Sequence, residues 1–501
     1  MPLTNIFDLG ELFERVQLES VFEDGKTFVD CTPKFELASI HDRYEQEKNK
    51  PGFNLSDFVN ENFTLPKVFA SNYKAVKGEE ITKHIGMLWN VLTREPEKSG
   101  NSLIELPFPY IVPGGRFGEI FYWDSFFTML GLQISGKIDM IENMIKNFSF
   151  LIDQYGYIPN GNRTYFLGRS QPPFFSCMIQ LLAEEKGKEN LVEYLPALQK
   201  EYNFWMGANK QISDKNISYP RVAQMPGGSL LNHYWDESDK PRPEAYRQEI
   251  ELATGVENKN KLFRDLRAAC ESGWDFSSRW FRNKNEFSSI HTTEIIPVDL
   301  NCLLVNLEET IAEGYELSNN ISSAEKYKSL ANQRKKAINT YCWNEEKGFY
   351  FDYDCVENKQ KDSWTLAASF PLYFKIASAK QAEKIAQNLK ERFLVNGGLV
   401  TTTETTNQQW DAPNGWPPLH WIAIKGLANY NHSELATEIA KRWMQLNEKV
   451  YESTGKMMEK YNVAATDLVA GGGEYPAQDG FGWTNGVYLA LDNWLTQTNK
   501  K

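Results

Sequence analysis

The sequence predicts an all-α fold in which paired helices close into a barrel, with short β-hairpins in the loops. Three observations lead there. Apolar residues recur at steps of three and four over a dozen or so stretches from about residue 79 onward. Strand-like runs, such as 348–353 and 398–403, are few and short. No low-complexity linker divides the chain of 501 residues. Length alone favours two or three domains, with barrels the main exception. An α-solenoid or a helix bundle satisfies the same periodicity.

Residues 1–75 lack a clear period and are expected to form an arm packed on a barrel of residues 76–501. Helical stretches read as 80–95, 122–135, 137–154, 172–187, 190–207, 245–256, 259–271, 300–318, 363–377, 379–393, 417–430 and 482–497. Ser322 and Glu325 have the spacing of a capping box ahead of the stripe Tyr327, Leu330, Ala331, Ile338 and Tyr341. Across 433–450, Leu435, Ile439, Trp443, Leu446 and Val450 form one face of an amphipathic helix. Pro172-Pro173 and Pro417-Pro418 fall where a first helical turn accepts proline.

Composition excludes several function classes. The net charge of −12 opposes nucleic-acid binding, which wants a basic stripe, and suits a neutral ligand. No two of the six cysteines have zinc or redox spacing, so buried free thiols are expected. The six histidines include no HExxH and no i,i+4 pair, so no metal or other cofactor is expected. No apolar run approaches ~18 residues, so no membrane span is expected. The N-terminus has no basic region followed by an apolar run. The chain is therefore expected to be cytoplasmic, or periplasmic or secreted if a leader has been removed. A monomer is expected.

The tract 113–124 is the most informative. It gathers glycines, a proline, Arg116, Glu119, Asp124 and four aromatics. Such a segment suits a sugar site better than a core, because its charges would need buried partners. Indole and phenyl faces cover the C–H faces of a pyranose, and carboxylates and guanidiniums bond its hydroxyls. Trp-Asp recurs at Trp235-Asp236, Trp274-Asp275 and Trp410-Asp411, and a glycine-rich tract carries Glu474-Tyr475 and ends at Trp483. These motifs are expected to converge on one carbohydrate cleft. Cleaving a glycosidic bond then needs two carboxyls, one protonated and one ionised. Asp275, beside Trp274, suits the acid, because desolvation raises a carboxyl's pKa. For the base, Glu119, Glu244, Glu459 and Glu474 all remain candidates.

The tract 113–124 resembles the first signature of glycoside hydrolase family 37, the trehalases. The segment Gln409-Trp410-Asp411-Ala412-Pro413-Asn414-Gly415-Trp416-Pro417-Pro418 is similar to the second, and the tract ending at Glu474-Tyr475 to a third landmark. The resemblance runs from about residue 60 to the C-terminus. It implies an (α/α)6 barrel and metal-free hydrolysis of α,α-trehalose to two glucoses with inversion. It implies Asp275 as general acid and Glu459, in Met458-Glu459-Lys460-Tyr461, as general base. Their carboxyls are then expected about 6.5–9.5 Å apart across a pocket. It implies sugar contacts at Arg116, Phe117, Trp123, Asp124, Asn160, Arg169, Gln171, Arg242, Glu244, Ser272, Gly273, Trp410, Trp416 and Glu474. The tract 471–482 is expected to close over the sugar. Phe121, Phe126 and Ala470 depart from the pattern, which usually has two tyrosines and a glycine there. Two other readings stay open: a related barrel glycosidase for another glucoside, and a trehalose-binding protein without catalysis.

Overall fold

The structure is a computed structural model that describes residues 3–66, 78–97, 102–207, 218–468, 470, 478 and 480–498. Two kinds of helix build it. A helix apolar on all sides must be surrounded by protein, whereas one with a single apolar stripe can lie outside. Tyr122–Ile134, buried at every position through Leu132, is of the first kind, as are Val298–Leu317 and Pro417–Asn429. The inner ring runs Tyr122–Ile134, Phe175–Lys186, Val298–Leu317, Phe370–Tyr373, Pro417–Asn429 and Gly482–Thr498. Each contacts the next and the last returns to the first. Outer helices follow at Ile138–Tyr155, Leu195–Met206, Ile321–Tyr341, Ala379–Asn388 and Ser433–Thr454, and Ile81–Leu92 packs on the last inner helix. Six inner and six outer helices make an (α/α)6 barrel, so the solenoid and bundle alternatives fall.

Glycine allows the ring to close. A β-carbon on Gly486 would stand 2.0 Å from the carbonyl oxygen of Phe127, and one on Gly131 would stand 2.5 Å from the α-carbon of Gly486. Only hydrogen at both positions lets the first and last inner helices approach that closely.

Several local expectations are corrected. Asn320, not Ser322, caps Ile321–Tyr341, its side chain accepting from the Ser323 N–H. Pro172-Pro173 precede the helix that starts at Phe175, whereas Pro417 does open its helix. The stretch 363–377 is only a 3-10 turn, Leu366–Ser369, and the short helix Phe370–Tyr373. Residues 3–66 are more regular than their sequence suggests. They hold the helices Glu11–Leu18, Lys26–Val29, Leu37–Glu47 and Leu55–Asn62, too short to print a clear stripe. These bury Phe13, Phe28, Tyr44, Phe58 and Phe63 in a second core shared with Phe121, Tyr165 and Phe166. The strands are short antiparallel ladders, such as Leu394–Val395 against Gly398–Leu399. All six cysteines are free and buried. Among the described residues no helix is long and apolar enough to cross a membrane.

Candidate active site

The segments leading into the inner helices meet at one end of the barrel around a cleft of ≈ 550 Å³. That volume is in the usual range for a small-molecule site. Residues 116–124 lead into and open Tyr122–Ile134, residues 160–171 precede Phe175–Lys186, and residues 410–416 precede Pro417–Asn429. Phe481 and Trp483 stand at the start of the last inner helix. The excursion between Leu195–Met206 and Val298–Leu317 adds Arg242, Glu244, Gly273 and Asp275, and the stretch after Ser433–Thr454 adds Glu459.

Among the described residues, six carboxyl side chains line this space, and Asp124, Asp275 and Glu459 interact electrostatically within it. Asp275 reaches it through the left-handed turn at Gly273, where φ is 74°. Glu459 is only 1% exposed, so its carboxylate is a buried group of the cleft. Its N–H donates to the Gln478 carbonyl at 2.8 Å and its carbonyl accepts from Trp483 Nε1 at 2.9 Å, which fixes the backbone on both sides. Lys460 Nζ stands 3.2 Å from Glu459 Oε2. Asp124 lies inside the first turn of its helix, with Phe121 at the cap. Burial pushes the Asp124 carboxyl well above the usual range, and the charges of Glu459 and Asp275 push in the same direction.

The guanidiniums are held by directed bonds. Arg169 donates from Nε to Asn160 Oδ1 at 3.0 Å, from Nη1 to Asp236 Oδ2 at 3.3 Å and from Nη2 to Glu244 Oε1 at 3.0 Å. Its guanidinium carbon lies over the Phe166 ring, 5.1 Å from the centroid. Arg242 pairs with Glu249 through Nε, and its N–H donates to Glu249 Oε2 at 2.8 Å. Burial opposes the charge of Glu244, but Arg169 and Arg242 hold its carboxyl below the usual range. Arg116 Nη2 is 2.7 Å from Asp24 Oδ1.

Indoles supply the apolar wall. Trp410 and Trp416 stack at 3.8 Å and 1°, and Trp274 lies behind Trp410 at 5.4 Å and 19°. Trp123 approaches Trp410 at 5.8 Å, and Trp483 meets Trp416 edge-on at 5.7 Å. Trp410 is thus covered by indoles on both faces, and the wall is packed and rigid before any sugar arrives.

Arg116, Phe117, Trp123, Asp124, Asn160, Arg169, Gln171, Arg242, Glu244, Gly273, Asp275, Trp410, Trp416 and Glu459 all line this one cleft. Ser272 does not: its hydroxyl donates to the Ala269 carbonyl and accepts from the Trp274 N–H, so it shapes the turn. Glu474 and most of the tract 471–482 lie outside the described residues. Glu119, a candidate base, is instead buried between Lys26 and Arg163. Only two of the four Trp-Asp pairs send a carboxyl into the cleft. Asp411 accepts from the Ser277 hydroxyl and the Ser278 N–H, satisfying buried neutral donors, and Asp236 balances the buried guanidiniums of Arg169 and Arg267. Sequence reasoning missed Glu23, Asp24 and Lys26, which the N-terminal segment brings to the wall. No motif spacing marks them, since they reach the cleft only through tertiary packing.

The trehalase family profile matches residues 20–496, beginning well before the resemblance seen near residue 60. The periplasmic trehalase of Salmonella schwarzengrund (strain CVM19633) is 47% identical over 487 residues, covering 96% of this chain and 85% of that protein. The neutral trehalase Nth1 of Saccharomyces cerevisiae superposes with a TM-score of 0.64 at 26% identity, over 84% of this chain and 80% of that one. The mannosylglycerate hydrolase of Thermus thermophilus, with glucose bound, shares the fold alone, at a TM-score of 0.56 and 16% identity over 83% of this chain and all of that one. A barrel of this build, with carboxyls, guanidiniums and indoles around a sugar-sized cleft and relatives of this kind, is a glycoside hydrolase. The chain belongs to the trehalase family. The cytoplasmic expectation is overturned, because the relatives at this identity are named periplasmic.

Proposed function

We propose that this chain hydrolyses α,α-trehalose to two glucose molecules with inversion. The observation that carries the proposal is the meeting of Asp275 and Glu459 in one cleft, both close enough to act electrostatically on Asp124. Asp275 protonates the glycosidic oxygen. Glu459 takes a proton from the water that attacks the anomeric carbon on the opposite face, which calls for a carboxyl separation of about 6.5–9.5 Å. Asp124, whose carboxyl pKa burial pushes up, hydrogen-bonds a sugar hydroxyl. Arg116, Asn160, Arg169, Gln171, Arg242 and Glu244 bind hydroxyls, while Phe117, Trp123, Trp410 and Trp416 pack against the sugar's apolar C–H groups. Glu474 serves as a further sugar ligand. The reading includes a periplasmic location, a monomer, and a division into an arm of residues 1–75 and a catalytic barrel of residues 76–501.

Proton NMR of the first turnover tests it. Inversion releases one α- and one β-glucose from each trehalose, whereas retention releases only α-glucose before mutarotation. Glucose should appear from trehalose and not from maltose or cellobiose. Release of α-glucose alone, or equal rates on maltose, would sink the proposal.

A further inference from the structure

Behind the cleft wall, the main chain of Asp275 is joined to the side chain of Glu459 by two fully buried side chains. Gln409 Nε2 donates to the Asp275 carbonyl oxygen at 2.5 Å. Gln409 Oε1 accepts from Lys460 Nζ at 2.6 Å, and the same ammonium lies 3.2 Å from Glu459 Oε2. The orientation of this amide is forced. An ammonium can only donate and a carbonyl can only accept, so glutamine fits between them one way round. Gln409 itself is pinned, because its own carbonyl accepts from Asn414 Nδ2 at 3.1 Å and from Trp416 Nε1 at 3.0 Å. Lys460 lies over the Trp416 ring at 5.1 Å. Gln409 and Lys460 are 0% and 1% exposed, and neither lines the cleft. Burying an ammonium and a carboxamide there is costly unless each is bonded, and the bridge bonds both.

We propose that Gln409 and Lys460 are positioning residues that set the distance and orientation between the Asp275 and Glu459 carboxyls. The proposal rests on the acid–base reading above. Inversion tolerates only a narrow range of carboxyl spacing, because one water must fit between the base and the anomeric carbon. A bonded path from the acid's backbone to the base's carboxylate holds that spacing without touching the sugar.

Steady-state kinetics of Lys460→Met, Lys460→Arg, Gln409→Glu and Gln409→Met test this on trehalose and on α-glucosyl fluoride. With the fluoride, the C1–F bond breaks and fluoride leaves without a proton. Water oxygen bonds C1 and its proton passes to Glu459, so the acid is bypassed and base placement is isolated. K460M should lower kcat at least tenfold on both substrates with KM changed less than threefold, and K460R should restore part of it. Each Gln409 variant should lower kcat on trehalose. A raised KM at wild-type kcat, or K460M activity that fully recovers on the fluoride, would overturn the proposal. Circular dichroism and melting of each variant keep a folding defect separate, and the conservative K460R reports if K460M does not fold. Asp275→Asn and Glu459→Gln run alongside. If either keeps wild-type kcat on trehalose, the acid–base reading fails; if both are inactive on trehalose while K460M and the Gln409 variants match wild type, only the bridge fails.

Discussion

Gly273 and Trp123 touch so closely that no side chain fits between them. A β-carbon on Gly273 would lie 2.7 Å from Cε2 and 2.8 Å from Cζ2 of the Trp123 ring. Gly273 also sits at φ 74°, where L-residues other than glycine are strained. The turn that delivers Asp275 and the indole that walls the cleft are therefore one packed unit. Gly273→Ala must shift the ring or the turn, at a cost of about 1–3 kcal/mol. We expect kcat/KM on trehalose to fall at least tenfold in a folded protein with a lowered Tm. Wild-type kinetics in the variant would separate Asp275 placement from this contact.

Arg169 uses three nitrogens on three different acceptors and sets its guanidinium over the Phe166 ring. Lysine keeps the charge but has neither the fork nor the plane. Arg169→Lys leaves at least one of Asn160, Asp236 and Glu244 without its donor, and an unmet buried charge-assisted bond costs about 1–3 kcal/mol. A drop of about ten- to a hundredfold in kcat/KM is expected. Unchanged kcat/KM would remove Arg169 from the site's machinery.

Asp24, from outside the barrel, anchors Arg116 at 2.7 Å on the cleft wall. Its side chain is partly exposed, so the pair contributes little to stability. Its value is in aiming the guanidinium at the ligand. Asp24→Ala should raise KM severalfold while Tm stays within about 1 °C of wild type. A large loss of Tm with unchanged KM would make Asp24 a packing residue only.

Glu201 is buried against Tyr122, whose hydroxyl donates to its Oε1, and burial pushes its pKa up from 4.5 to about 8. The folded protein thus holds a proton that the unfolded chain releases above about 4.5. Between those values the native state binds more protons, so stability falls as pH rises and levels off above about 8. The slope is at most about 1.4 kcal/mol per pH unit. Glu201→Gln removes this contribution. Urea unfolding at pH 6 and pH 9 should show the wild type losing more stability than the variant. Equal losses would mean that Glu201 ionises normally.

The all-α class was legible because the inner and outer helices carry their burial in their patterns, continuous in 122–132 and striped in 433–450. The tracts 113–124, 274–275 and 410–416 were legible because glycine, tryptophan and carboxyl together suit few settings other than a ligand site, whereas Glu459, Asn160, Arg169 and Arg242 were marked only by the resemblance to family 37. Helix caps such as Asn320 were not, since neighbouring polar residues compete for the same role.

Two matters lay outside any local pattern. One is which carboxyls face the cleft. Asp275 and Asp411 follow tryptophan alike, yet one lines the cleft and the other binds Ser277 and Ser278, because their surroundings come from segments more than a hundred residues apart. The other is closure. Residue types foretold paired helices, but Gly131 and Gly486 acquire their meaning only when the first and last inner helices meet. Periodicity is a property of neighbours along the chain and survives in the sequence. Charge pairing and close backbone approach are properties of neighbours in space, and those exist only once the barrel has closed.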